Sequence, residues 1–199
     1  MDEIKLFDRW QTETVKVNDE GLVSYINLDP VIVPRSGGRH AKHQFYKSKV
    51  NIVERLINRL FVAGHKGRKH KFTSGQNVGK TFGASKIVVD AFGIIEEKTK
   101  ANPVEVLVRA IENSAPIEEV TTFRKGGMTS REGVVTSPQR RVDLALRHIA
   151  QGTYASSVKS RKSAASCLAD EILLAYKGDM KSRAVSEKQR REKESQGAR

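Results

Sequence analysis

Apolar residues recur at helical spacing through only part of this chain, and that restriction decides where a core can form. From Lys49 onward Val53, Leu56, Ile57, Leu60, Phe61 and Gly64 follow the i, i+3, i+4, i+7 rule, with Glu54, Arg55, Asn58 and Arg59 off the apolar face. Gly64 ends this first helix. A second is expected from about Lys80 to Lys100, turning Phe82, Val88, Val89, Phe92 and Ile95 inward. Asn102-Pro103-Val104-Glu105 then combines an N-cap, a proline at the first helical position and a glutamate three residues after the cap, with Leu107, Ala110 and Ile111 continuing the third helix. Between Pro116 and Pro138 the period changes: Val120-Thr121-Thr122-Phe123 and Val134-Val135-Thr136 flank Gly126-Gly127, which reads as a hairpin. An isolated ribbon is marginal in water, so it is expected to project as an arm held by a partner. Ser137-Pro138 opens a fourth helix closed at Gly152, with Val142, Ala145, Leu146 and Ile149 inward. A fifth, from about Lys159 to Lys177, buries Ala164, Cys167, Leu168, Ile172 and Leu173.

The flanks lack this pattern. Residues 1–48 are punctuated by Asn18-Asp19-Glu20-Gly21, Asp29-Pro30 and Pro34-Arg35-Ser36-Gly37-Gly38 and read as a strap lying on something else. Residues 179–199 hold only Met180 and Val185 as sizeable apolar side chains and cannot form a core alone, helical or not. Both ends are expected to order on assembly with a partner. The fold class is mainly α: a five- to six-helix domain over 49–178, a protruding two-stranded β-hairpin arm at about 117–137, and extended N- and C-terminal segments at 1–48 and 179–199.

Charge is distributed as unevenly as hydropathy. The 199 residues carry a formal net charge of +13, with 38% hydrophobic and 30% charged residues. Residues 1–34 balance at −4, whereas residues 35–80 balance at +11 through Arg35, Arg39, Lys42, Lys47, Lys49, Arg55, Arg59, Lys66, Arg68, Lys69, Lys71 and Lys80 against Glu54 alone. A solubilising surface intersperses both signs; this concentration is the electrostatic footprint of a polyanion partner. No apolar run approaches the ~18 residues of a membrane span, the first residues lack a signal-peptide pattern, and a single cysteine excludes an internal disulfide framework. A soluble, intracellular protein is expected.

Catalytic patterns are weak. Ser74-Gly75-Gln76-Asn77-Val78-Gly79-Lys80-Thr81 approaches a phosphate-binding loop, but serine stands where the first glycine belongs and no buried strand precedes it. His40, His43, His65 and His70 lie among lysines and arginines, which oppose a metal cation, and no cysteine or carboxylate completes a ligand set. Cys167 sits among small helical residues and reads as packing, and His148 as a structural or polyanion-facing donor. No cofactor, metal or small-molecule substrate is expected. Basic groups on ordered elements say more: Arg140, Arg141 and Arg147 on the fourth helix, with Asp143 placed to pair with Arg147, and Lys159, Arg161 and Lys162 at the start of the fifth, where a phosphate would offset their repulsion by the helix dipole. Arg124, Lys125, Gly126 and Gly127 put charge and close backbone approach at the arm's tip. A nucleic-acid-binding protein is the leading reading. A helical DNA-binding or chromatin protein shares the charge but lacks an evident recognition helix or dimer seam, and a nucleotide-dependent enzyme would have to use Lys80 and Thr81.

Several of these segments together resemble a known family. Val53-Glu54-Arg55-Leu56, Asn102-Pro103-x-x-Val106-Leu107-Val108-x-Ala110-Ile111-x-Asn113-Ser114, the Gly126-Gly127 hairpin, Ser137-Pro138-x-Arg140-Arg141-Val142 and Cys167-Leu168-Ala169-Asp170-Glu171-Ile172 resemble the small-subunit ribosomal protein seven family. Lys5-Leu6-Phe7-x-x-Trp10 resembles its archaeal and eukaryotic branch. The resemblance implies a non-catalytic, cytoplasmic component of the small ribosomal subunit that binds the 3′ major domain of the ribosomal RNA directly and organises the head beside neighbouring head proteins. It places Arg124, Lys125, Gly126 and Gly127 near the exit-site transfer RNA and the upstream messenger path. It also turns Arg140, Arg141 and the Lys42–Lys49 segment toward ribosomal RNA.

Overall fold

A computed structural model describes residues 4–65 and 77–198. Among them are six α-helices and one β-hairpin: α1 (Ile52–Leu60), α2 (Thr81–Thr99), α3 (Pro103–Ser114), β1 (Glu118–Lys125), β2 (Met128–Val135), α4 (Pro138–Ser157), α5 (Ala164–Tyr176) and α6 (Arg183–Gln196). Caps fix several starts. Asn51, Asn102, Ser163 and Ser182 each accept a hydrogen bond from a free backbone N–H of the first turn.

Helix α5 is the hub, packing against α2, α3 and α4. Its Leu168 and Ile172 join Phe92 and Ile95 of α2, Leu107 and Ile111 of α3, and Leu146 and Ile149 of α4 in one buried cluster. Full burial of such side chains stabilises by roughly 1.5–3 kcal/mol each. Phe82 departs from expectation: it is 86% exposed in the first turn of α2, whose buried face begins at Ala84. Glu54 and Arg55, expected off the buried face of α1, are also buried, since the N-terminal strap covers that side of the helix.

The strap lies on the chain's own helices. Leu6, Trp10, Val15, Leu22 and Ile26 all enter the core, so its few apolar residues are spent on docking. The Trp10 ring stands edge-on to Phe92 with centroids 5.5 Å apart, and its Nε1 donates to Glu96 Oε2 at 2.9 Å. Arg141 Nη2 reaches Asp19 Oδ2 at 2.7 Å and pins the strap to α4.

Two further boundaries differ from the sequence reading. Helix α4 continues through Gly152 to Ser157, because Gly152 faces α5 and leaves room there for the Glu171 carboxylate. Helix α5 begins at Ala164, so Lys159, Arg161 and Lys162 lie in the loop before its Ser163 cap.

The hairpin turns at Gly126 (φ +55°) and Gly127 (φ +82°), two successive left-handed residues as a two-residue type I′ turn requires, and pairs Glu118 with Val135 through Lys125 with Met128. Its base is held by the chain itself. Ile117 N donates to Glu192 Oε1 (3.0 Å), Ser195 Oγ to Glu118 Oε2 (3.2 Å), and Arg191 Nη1 lies 3.4 Å from Glu119 Oε2. The C-terminal segment is thus a helix that braces the arm, anchored where Glu171 Oε1 accepts from Ser182 Oγ (2.9 Å) and Ala184 N (3.2 Å).

Candidate nucleic-acid interface

Folding brings the basic residues of 35–59 and of α4 and α6 into one tract made of three adjoining recesses. The first, about 500 Å³, is lined by Arg35, Arg39, Lys42 and Lys49 with His40, His43 and Tyr46. The strap reaches this position because Glu54 Oε1 of α1 accepts from Ser36 N (2.9 Å) and Ser36 Oγ (2.6 Å). Short 3-10 turns at Arg39–Lys42 and Tyr46–Lys49 then fan the cations outward. Lys49 Nζ sits 4.3 Å from the Tyr46 ring centroid, a cation–π contact that limits its freedom.

The second recess, about 140 Å³, shares His40 with the first and contains Lys47, Arg55, Arg59 and Asp143. Asp143 pairs with Lys47 Nζ (2.7 Å) and Arg55 Nη2 (3.1 Å) rather than with Arg147 as expected, because the strap and α1 bring these two cations across α4. Burial pushes the Asp143 carboxyl up, but the hydrogen bonds and charges of Lys47 and Arg55 outweigh it and hold it below the usual aspartate range. Two cations share one carboxylate, so the group still presents net positive charge. The third recess, about 380 Å³, shares Arg59 with the second and lies between α1, α4 and α6, where Arg147, Arg183, Arg190 and Arg191 converge around His148 and Glu187.

The remaining predicted residues are placed differently. Arg140, half-exposed, grips both oxygens of Glu119 (2.5 and 2.8 Å), and that hydrogen bond raises its guanidinium pKa. Arg141 is only 13% exposed and ties down the strap through Asp19. Lys159, Arg161 and Lys162 are exposed, and Lys162 Nζ shares Asp170 with Lys98 Nζ (3.0 and 2.9 Å). Lys80 is the exposed N-cap of α2. Arg124 is exposed at the hairpin tip, where Lys125, Gly126 and Gly127 complete the turn. Lys66, Arg68, Lys69 and Lys71, with Ser74, Gly75 and Gln76 of the phosphate-loop-like segment, lie outside the described residues.

Sequence reasoning missed the contribution of α6. Arg183, Glu187, Arg190 and Glu194 recur at i, i+4, i+7 and i+11, and Arg191 adds to the same side; that periodicity was a readable signal of one charged face. Among the described residues no cluster of His, Cys, Asp or Glu could hold a metal, and no helix is long and apolar enough to cross a membrane. Cys167 is buried, and burial raises its thiol pKa, the opposite of an activated nucleophile.

Comparison of the sequence with known proteins matches it to one family. The family described as Ribosomal protein S7p/S5e matches residues 24–199. The chain belongs to that family. Its relatives include the small ribosomal subunit protein uS7 of Nanoarchaeum equitans, 50% identical over 98% of this chain and 99% of the relative. The protein of the same name from Methanosphaera stadtmanae is 48% identical over 98% of each chain. That of Methanococcoides burtonii is 44% identical over 98% of this chain and 99% of its own. These are archaeal proteins, in keeping with the branch that the Lys5-Leu6-Phe7-x-x-Trp10 segment indicated. The S7p/S5e family is one of ribosomal proteins, not of enzymes, which removes the nucleotide-dependent reading of Lys80 and Thr81.

Proposed function

We propose that this chain is a structural constituent of the small ribosomal subunit that binds the 3′ major domain of the ribosomal RNA and organises the subunit's head, with its hairpin near the exit-site transfer RNA and the upstream messenger path. The observation that carries this reading is the tract from Arg35 to Arg191, in which basic residues distant in sequence line adjoining recesses on a packed helical scaffold. Such a surface neutralises phosphates and releases counterions. About eight phosphate contacts give a log–log salt slope of roughly −6 to −7. Recognition runs through backbone and shape, as suits folded RNA, and the chain's single Trp and four Tyr do not supply a base-stacking platform. Outside the tract, Arg140, Arg141 and Lys162 are engaged by Glu119, Asp19 and Asp170, while Lys159 and Arg161 are exposed and add further contacts to phosphate.

Competition between a 3′ major domain RNA fragment and duplex DNA of equal charge, at one fixed salt concentration and repeated across a salt series, tests the proposal. Preference for the folded RNA at every salt concentration is the expected result. Equal affinity would favour the helical DNA-binding alternative.

A further inference from the structure

His148 on α4 is 6% exposed, yet neither ring nitrogen has a hydrogen-bond partner. Buried side-chain polar atoms usually have at least one partner, so an orphaned imidazole asks for one. It borders the 380 Å³ cavity between α1, α4 and α6. Arg59 enters this cavity from α1 and Arg147 from α4, and neither forms an ion pair among the described residues. Burial, and next the charge of Arg147, lower the pKa of the Arg59 guanidinium, with Asp143 opposing the shift and Arg55 adding to it, so two like charges face one space and neither has a bonded carboxylate among the described residues. The carboxylate there, Glu187, is already shared by Arg183 (3.5 Å) and Arg190 (2.7 Å). Glu187 is thus committed to α6, and Arg59 and Arg147 have no carboxylate bonded to them among the described residues.

We propose that this cavity seats a single phosphate group, with Arg59 and Arg147 receiving its anionic oxygens and His148 standing beside it as a hydrogen-bond donor. The proposal rests on the RNA-binding reading and adds to it a defined contact and a proton. Empty, the cavity keeps His148 neutral. Burial first, opposed by the Glu187 carboxylate and reinforced by the fields of Arg191, Arg147 and Arg183, lowers its pKa to about 4. Arg59 and Arg190, the other charged groups lining the space, are also cationic, and His65 is its second imidazole. An incoming anion offsets the arginine field, so His148 takes a proton from solvent as the phosphate enters and donates it as a charge-assisted hydrogen bond. A phosphodiester of the RNA backbone and free inorganic phosphate present the same oxyanion chemistry.

The test follows the His148 imidazole by NMR in the intact protein while inorganic phosphate, or the 3′ major domain RNA fragment, is added between pH 5.5 and 7.5. A raised His148 pKa with both probes, or with RNA alone, supports the seat, and the second pattern assigns it to the phosphodiester. A response to inorganic phosphate alone supports the cavity but removes RNA as its source. No response to either probe overturns it. In parallel, Arg147→Gln, on an exposed residue, is expected to reduce the salt slope of RNA binding by about 0.7–0.9. His148→Gln is expected to abolish a rise in RNA affinity on acidification of at most about tenfold per pH unit, one proton's worth. RNA binding with an unchanged slope and unchanged pH dependence in both variants refutes the seat while leaving the RNA-binding reading intact; failure of the unaltered protein to prefer RNA refutes that reading instead.

Discussion

Replacing Gly152 with alanine inserts a methyl group into the α4–α5 contact, where a Cβ would stand 2.6 Å from Glu171 Cδ and 2.8–2.9 Å from both carboxylate oxygens. A glutamate tip can ordinarily swing aside, but this one accepts hydrogen bonds from Ser182 Oγ and Ala184 N at the start of α6. Moving it leaves those buried donors unpaired, at a cost of about 1–3 kcal/mol. Keeping it in place forces an overpacked contact of similar cost. Alanine recovers about 1 kcal/mol of helix propensity, so a net loss of roughly 1 kcal/mol is expected. Gly93 in the interior of α2 is the matched control, because a Cβ there meets nothing within 4 Å. Gly93→Ala is expected to gain about 1 kcal/mol. For a chain of this size each kcal/mol moves Tm by roughly 2–4 °C, so the two variants fall on opposite sides of the unaltered protein in thermal melts followed by circular dichroism. A Gly152→Ala protein as stable as Gly93→Ala would refute the account of how α4, α5 and α6 are locked together.

Asp143→Asn removes the carboxylate that neutralises Arg55, whose side chain is 2% exposed, and is expected to destabilise the free protein by about 3 kcal/mol in urea titrations. Because the Asp143 pKa is depressed in the folded state, the stability it supplies is present above the unfolded aspartate pKa of ~3.9 and is lost as pH falls below it; the variant's stability profile should lack that acid-side decline. Gly127→Val forces a β-branched residue to φ +82° and should disorder the hairpin tip, seen as loss of the strand amide pattern by NMR, with little change in the global Tm because the tip is remote from the core.

The helices were legible because Val53, Leu56, Ile57 and Leu60 obey a period and Asn102-Pro103 announces a start, both of them local facts. The Gly126-Gly127 turn was legible for the same reason. What local reading could not supply was the strap's destination: Leu6, Trp10 and Leu22 look sparse in sequence, and only the tertiary fold shows each filling the core. Nor could it separate cations that face outward from cations engaged internally. Arg141 and Arg39 look alike in sequence, yet one meets Asp19 from 122 positions away and the other stays exposed. Gly152 misled because an interior helical glycine can mark a close contact as well as an end. The third recess escaped because one of its walls is α6, a segment too polar to look structural.

Residue-resolved cross-linking of the protein to RNA within the assembled small subunit tests the central claim most directly. The account predicts cross-links concentrated on the strap from Arg35 to Lys49, on Arg59 and Arg147, and on the α6 face carrying Arg183 and Arg191. Cross-links confined to the outer faces of α2 and α3, with that tract silent, would contradict it.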